Sequence, residues 1–445
     1  MDKYDAIVVG GSVSGAPTAM LLARKGYNVL LVDKSIFPRD ANSNHLIWPR
    51  GMSYLNRWGL ADHILKSSPH HKNIEINIEG INLSGSVPLQ DVKQRFLKLH
   101  GNDDGAIDYY CCPRRYFLDE YLLNASKDSG VDVREGVTFK KTIVEDSRVT
   151  GIVARGAKGE EFQAKAKIVI GADGRFSNLA KDVGAKTKDY RELSTFAYYS
   201  YFSNINKEYA SIDKKGRLGT AIVPTQNNTH MVLAYGPTAW WNDFKKDPEK
   251  NFFDIFRFCA PDIAKLVENG KRTENFKASA IMPSFQRELF GLGWALVGDA
   301  ASFKDPVSAI GITHSFRDAE LITSFLHRTL SGEMSMESAL AQYQEVRAND
   351  YEDYFDFVCK NAEMNSYSKE ELKYLYSIKD NKKMIDKMIS QLADTLPLFS
   401  GNNTSLLPDE EYPDFIKTFD PDSYPSSFPI SKMESKNMSY VLSET

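Results

Sequence analysis

An α/β fold built on a parallel, three-layer sheet is what this 445-residue chain predicts, and three stretches carry the prediction. The first is VVGGSVSGAPTAMLLARKGYNVLLVDK, from Val8 to Lys34. The second is IVIGADGRFSNLAKDVGA, from Ile168 to Ala185. The third is GWALVGDAASFKDPVSAIGITHSFRDAELI, from Gly293 to Ile322. Each is an apolar, strand-like run that breaks on a glycine turn and passes into helix-like spacing.

In the first stretch, Tyr4 to Val9 leads into Gly10-Gly11 as a buried parallel strand feeding a tight turn. After Gly15, the residues Ala16, Ala19, Met20 and Ala23 recur at i, i+3, i+4 and i+7 and mark one helical face. Pro17 falls in the first turn, where its missing N–H loses no bond, and Gly26 ends the helix. Asn28 to Val32 is a second apolar strand that closes on Asp33. The whole is a βαβ unit of about 30 residues with an acid about 20 residues past the glycines, the pattern of a Rossmann-type dinucleotide site. Gly10 makes the turn, Gly15 lets the helix approach the strand, and free amides at the helix start meet a pyrophosphate. Asp33 accepts from ribose hydroxyls, and its charge argues against a 2′-phosphate. Ser12 stands where the motif wants its middle glycine. It is small enough for a slight backbone shift, or a hydroxyl-to-phosphate hydrogen bond, to accommodate it.

Bulk composition narrows the partners. The chain is 42% hydrophobic and 26% charged, ordinary for a globular protein of two or three domains. A formal net charge of -4 gives no general attraction to nucleic acid or anionic lipid, so a small-molecule partner is expected. Cys111, Cys112, Cys259 and Cys359 show no metal spacing, and no metal site is expected; buried thiols in a reducing compartment fit them better than disulfides. The first residues enter a strand at once, and no apolar run approaches the roughly 18 residues of a membrane span. The expectation is a cytoplasmic, soluble protein.

In the second stretch Asp173-Gly174 follows a strand, and Ser177 begins a helical run. In the third, Gly298-Asp299, Asp305-Pro306 and Gly311-Ile312 follow one another into an amphipathic helix. Taken singly, Gly-Asp and Asp-Pro are common turns. In this order, with the glycine turn and Asp33, they resemble the FAD-dependent oxidoreductases that share the para-hydroxybenzoate hydroxylase fold. That group includes aromatic hydroxylases, epoxidases, geranylgeranyl reductases and flavin-dependent halogenases, and the resemblance covers roughly residues 1 to 335.

The resemblance implies FAD as cofactor and assigns roles along the chain. Asp299 would hydrogen-bond the ribityl chain, and Asp173-Gly174 would lie near the pyrophosphate, where NADPH or NADH also passes. Pro306 would pack beside the isoalloxazine, and the amides around Gly311 and Ile312 would face its pyrimidine edge. A helix starting there aims its positive end at the ring positions where charge collects on reduction. Arg115, three residues before Leu118-Asp119 at the head of a long helix, would contact the phosphate or ribityl region. The expected cofactor-binding set is Gly10, Gly11, Ser12, Ser14, Gly15, Asp33, Lys34, Arg39, Arg115, Asp173, Gly174, Gly298, Asp299, Pro306, Gly311 and Ile312.

The expected organisation is interleaved. Residues 1–75, 105–185 and 286–335 make a discontinuous FAD-binding domain, with β-rich runs of a meander broken at Asp146-Ser147 and Gly156 to Gly159. Residues 76–104 and 186–285 make a substrate-binding antiparallel sheet, from runs such as Asn73 to Leu83, Thr195 to Ser203, Leu218 to Pro224 and Thr229 to Tyr235. In TFAYYSYFS, Phe196, Tyr198, Ser200 and Phe202 share one face and Ala197, Tyr199 and Tyr201 the other; either pocket wall or sheet core suits so aromatic a strand. Residues 336–445 form a C-terminal segment, helical to Cys359 and again from Ser368 to Leu392, then loose from about Pro397. It would cover the pocket or mediate self-association.

For the chemistry, the resemblance implies an NAD(P)H-dependent monooxygenase that hydroxylates or epoxidises an aromatic or polycyclic metabolite through a C4a-hydroperoxyflavin. Halogenation, double-bond reduction, substrate oxidation and a non-catalytic flavin sensor stay open, as do a separate flavin reductase and oligomerisation. Phe37-Pro38-Arg39, followed by Pro49 and a helix (Gly51 to Gly59), resembles both the reductases and the halogenases, but the reductases' cysteine-glycine run is absent. In its place stand Asn42, Ser43, Asn44 and His45. Trp240-Trp241 do not match the halogenases' GWxWxIP motif. Asn44 and His45 near the flavin ring, and His314 at the head of the helix pointing at it, are the candidate catalytic residues, with titration near working pH as the attraction of a histidine.

Overall fold

The structure is a computed structural model that describes residues 2–43, 45–396, 406–424 and 428. Its first sheet has the strand order Phe290–Gly291, Trp294–Leu296, Glu161–Gly171, Asp2–Val9, Val29–Asp33 and Asp132–Glu135. Its five strands from Trp294–Leu296 to Asp132–Glu135 run parallel, helices Gly15–Arg24 and Arg115–Asp128 pack beside them, and Gly311–Leu330 packs on Gly15–Arg24. Val29 to Val32 and Ala6 to Val9 are buried on both faces, which is why these strands read as unbroken apolar runs. The meander appears as the hairpins Thr138–Glu145, Arg148–Arg155 and Glu161–Gly171.

Register is what turns three distant motifs into one site. Val9 lies opposite both Gly171 and Val32, and Gly171 lies opposite Leu296. The turns after these strands, at Gly10, Asp33, Asp173 and Gly298, therefore leave the sheet along a single carboxyl edge, where ligands of open parallel sheets bind.

The second sheet runs Lys271–Arg272, Thr195–Ser203, Thr229–Pro237, Leu218–Thr225, Ser211–Lys215, Asn73–Ile78, Ile81–Ser86. It is antiparallel except where Ser211–Lys215 pairs with Asn73–Ile78. The single run expected from Asn73 to Leu83 is a hairpin turning at Glu79-Gly80, both with positive φ. The aromatic strand has two different faces. Phe196, Tyr198 and Phe202 pack on the helices Trp241–Phe244 and Pro248–Cys259, with the Phe196 and Phe244 rings 4.7 Å apart, and form a second core. Ala197, Tyr199 and Tyr201 face the other way, the first two onto a cavity and Tyr201 onto His45.

Helices Met336–Ala362, Lys369–Ile378 and Lys382–Leu392 follow the expected spacing, the second opened by a Ser368/Glu371 capping box. The last packs on strand Ile81–Ser86, where Asp386 accepts from the Ser86 amide at 2.8 Å. The loose stretch expected from Pro397 begins outside the described residues.

A buried charge network ties these helices to the rest. Arg50 pairs with Asp350 (2.7 Å) and Asp394 (2.6 Å), and Arg95 with the same two acids (2.9 and 3.3 Å). Arg317 bridges Asp350 (3.2 Å) and Asp318 (2.7 Å), and Arg347 closes on Asp318 (3.0 Å). Charges so deeply buried persist only when paired. None of the described helices is long and apolar enough to cross a membrane.

Candidate functional site

An elongated cleft of about 640 Å³ runs along the carboxyl edge of the parallel sheet. At its nucleotide end Gly10 has φ +106, and a Cβ there would fall 2.4 Å from the Ala172 carbonyl oxygen. A Cβ on Gly15 would fall 1.8 Å from the Gly10 carbonyl oxygen. Both positions are closed to any side chain, and the helix Gly15–Arg24 starts flush against the turn. The Gly11 amide donates to Asp33 at 2.7 Å, and the Ser35 amide donates to the other Asp33 oxygen at 2.7 Å. These bonds hold the carboxylate at the cleft wall beside Lys34.

Ser12 is a polar junction. Its hydroxyl donates to Asp119 at 2.6 Å and accepts from Arg115 at 2.7 Å, while Arg115 grips Asp119 through two bonds of 2.8 Å. The arginine is thereby fixed at the cleft, largely buried and held by the carboxylate one helical turn on. Asp119 was not among the expected residues; its spacing of four from Arg115 is the signal in the sequence.

Asp173 and Gly174 line the cleft, and the Asp173 carboxylate accepts from Ser177 Oγ and from the amides of Asn178 (2.7 Å) and Leu179 (3.2 Å). It caps the short helix Asn178–Asp182 from the cleft side. The Gly298 amide donates to Asp318 at 3.1 Å, which joins this turn to the charge network. Burial raises the Asp299 carboxyl above its ordinary range, against Lys304 and Arg115. Burial, with Arg347 and Arg317 nearby, lowers the Lys304 ammonium to about 7. Arg39 also lines the cleft, and its buried Nε has no hydrogen-bond partner among the described residues. An arginine at the cleft beside a turn that admits no side chain at Gly10 or Gly15 suits a diphosphate, so the residues present fit FAD: Asp33 would face the ribose, the glycine turn and Arg39 the phosphates, and Asp299 the ribityl chain.

A second, apolar cavity of about 280 Å³ lies between the sheets. Ile74, Ala197, Tyr199, Val223, Met231 and Leu233 come from the antiparallel sheet, and Pro306, Val307 and Ala309 from the turn after Asp305. Asn42, Arg175 and Asp299 line both cavities, so the two meet at these residues. Asp305 joins the halves: it accepts from the Thr195 amide (2.7 Å), the Thr195 hydroxyl (2.9 Å) and the Val307 amide (2.9 Å). Burial moves its carboxyl up to about 6, opposed by those donors.

The three candidate catalytic residues fare differently. His45 is fully buried with φ +59, stacked on Tyr201 with ring centres 5.9 Å apart and hydrogen-bonded to its hydroxyl through Nε2. It stands behind the cavity wall, and burial together with Arg115 pushes its pKa well down. His314 lines neither cavity; its Nε2 meets Asp394 at 2.7 Å inside the charge network, where burial and the Arg317 charge lower it too. Asn44 lies outside the described residues. Pro306 lines the apolar cavity, whereas Gly311 and Ile312 begin the helix Gly311–Leu330 without lining either one. The helix presents Ser315 to the cleft instead.

Comparison with known proteins agrees with this geometry. A family model described as an FAD binding domain matches residues 3–358. The chain is 22% identical to a 1H-pyrrole-2-carbonyl-(peptidyl-carrier protein) chlorinase of Pseudomonas fluorescens, over 81% of this chain and 84% of the relative. It is 24% identical to a digeranylgeranylglycerophospholipid reductase of Methanocella arvoryzae (78% and 83%) and 23% identical to a 6-methylpretetramide 4-monooxygenase of Streptomyces rimosus (71% and 73%). Among solved structures, a flavin-dependent brominase superposes with a TM-score of 0.73 at 16% identity, over 88% of this chain and 94% of that one.

Proposed function

The chain belongs to the FAD binding domain family, and on that premise we propose that it is an NAD(P)H-dependent monooxygenase of a compact aromatic or apolar metabolite. The observation that carries this reading is the junction of the two cavities: an apolar chamber opens onto the flavin cleft at Asn42, Arg175 and Asp299. Bound FAD supplies the electron transfer and the oxygen activation. The chain's own residues supply position and dryness. A volume of about 280 Å³ stands at the lower edge of the ~300–1,000 Å³ usual for ligand sites, which favours a small ring system over a large polycycle. Met231, Val223 and Leu233 exclude water around it. The Tyr199 hydroxyl accepts from the Ser43 amide at 3.3 Å, and burial raises its pKa to about 12. It therefore keeps a proton to donate to a substrate oxygen at the cavity wall.

Anaerobic reduction of the bound flavin by NADPH and NADH, followed by admission of oxygen with compact aromatics present, tests the reading. The expected result is reduction accelerated by a binding aromatic and a product heavier by one oxygen atom. Absence of reduction by either nucleotide, with any aromatic, sinks it. The likeness to the chlorinase supports a halogenase as second reading; a product that forms only with chloride or bromide would favour that one.

The pocket's far end gives a sharper test. The Tyr235 ring lies over Gly219, so a Cβ at 219 would fall 2.3 Å from the ring's Cζ. Gly219→Ala is expected to tilt the ring into the cavity and raise KM for two-ring substrates about tenfold, the effect of ~1–3 kcal/mol of overpacking. Flavin content stays unchanged, as absorbance of the purified variant would verify.

A further inference from the structure

The junction of the two cavities holds an arginine that no carboxylate of the described residues grips by a hydrogen bond or ion pair, although Asp299 lies near enough to feel its charge. Arg115 in the cleft is clamped by Asp119, and of the arginines lining neither cavity Arg114 is paired with Glu274 at 2.7 Å and Arg287 donates to the carbonyls of Ala300 and Arg175. Arg175 meets aromatic rings instead. Its guanidinium carbon stands 4.5 Å from the centre of Phe176 and 5.3 Å from that of Phe303, and no carboxylate of the described residues pairs with it. Ring contacts hold a guanidinium in place without consuming its five N–H donors. The side chain is half-buried and lines the flavin cleft and the apolar chamber alike.

A fixed cation at the mouth of an apolar chamber selects for a ligand with an apolar body and an anionic end. A planar carboxylate suits the guanidinium fork best, because two parallel N–H···O bonds form at once. Resting on the reading of the chamber as the substrate site, we propose that the substrate is a compact apolar carboxylic acid, its carboxylate received by Arg175 and its ring body directed toward Met231 and Leu233. The neighbouring Asp299 carboxyl limits how far the anion can advance: the acid group stops at Arg175, and the ring occupies the chamber.

Two probes of the same shape test this on the FAD-loaded protein: 2-naphthoate and the neutral 2-naphthamide. Each is titrated without any electron donor, and binding is read from the perturbation of the flavin absorption spectrum. The acid is expected to bind about tenfold more tightly than the amide, the range of a charge-assisted pair. In Arg175→Met the two affinities converge to within about threefold, and Arg175→Lys keeps part of the preference, with flavin content equal to that of the parent in both. Equal affinities in the parent, a preference that survives Arg175→Met, or no binding of either probe overturns the inference. So does loss of flavin from Arg175→Met, which would assign the arginine to the cofactor diphosphate. So does slowed reduction by NADPH with the acid preference intact, which would assign it to the nucleotide donor. Since the titration involves no turnover, a failed monooxygenase assay leaves this result standing, and the converse holds as well.

Discussion

Asp318→Ala is expected to destabilise the protein by about 3–5 kcal/mol, because it removes the carboxylate that Arg317 and Arg347 share in an interior where neither guanidinium is exposed. At about 2.1 cal/mol/K of unfolding entropy per residue, that is a fall in Tm of roughly 3–5 °C for a chain of this length. The same variant releases the Gly298 amide, so weaker flavin retention should accompany the lower Tm. A melt unchanged within a degree would mean that the network is slack. The carboxylate also sets an acid limit. Burial alone would raise its pKa, but Arg347 and Arg317 hold it at about 2, below the roughly 3.9 of an unfolded aspartate. A group depressed on folding stabilises above its unfolded pKa, and that contribution fades as pH falls from about 4 toward 2. Thermal melts across that window should steepen in the parent relative to Asp318→Ala.

Gly15→Ala is the second large effect. The new methyl would lie 1.8 Å from the Gly10 carbonyl oxygen, and since both partners are backbone, relief requires the helix and the strand to part. A penalty above about 4 kcal/mol is expected, among the largest for a single methyl. The variant should purify without its yellow colour or not at all. Full flavin occupancy with a Tm within 2 °C of the parent would show that the turn is not the close approach described.

The glycine turn, its helix and the acid at the end of the second strand were legible because all their determinants are local. Ser12 was legible only as a departure. What makes it useful, the Arg115–Asp119 pair, stands over 100 residues away and reaches it through the parallel sheet. The alternation of Thr195–Ser203 was equally plain, yet period two cannot say which face meets helices and which a cavity. His314 illustrates the opposite failure. Its place one turn into the helix Gly311–Leu330 suggested a flavin contact, but 3.6-residue spacing turns it toward Asp394, an acid 80 residues later with no local signature. His45 offers a lone-histidine signal in the sequence, but its positive φ and its stacking on Tyr201 depend on a strand more than 150 residues away.

Interleaving has a consequence for biosynthesis. The strand Trp294–Leu296 completes the cleft edge, and Asp318 anchors the turn that follows it, so the clasp cannot close until Asp318, 285 residues after Asp33, has left the ribosome. At ~5–20 residues per second that is a delay of roughly 15–60 s, during which Val29–Asp33 and its neighbours wait with an unsatisfied apolar face. Nascent chains stalled before Trp294 should therefore recruit holdase chaperones, and those stalled well beyond Asp394 should not.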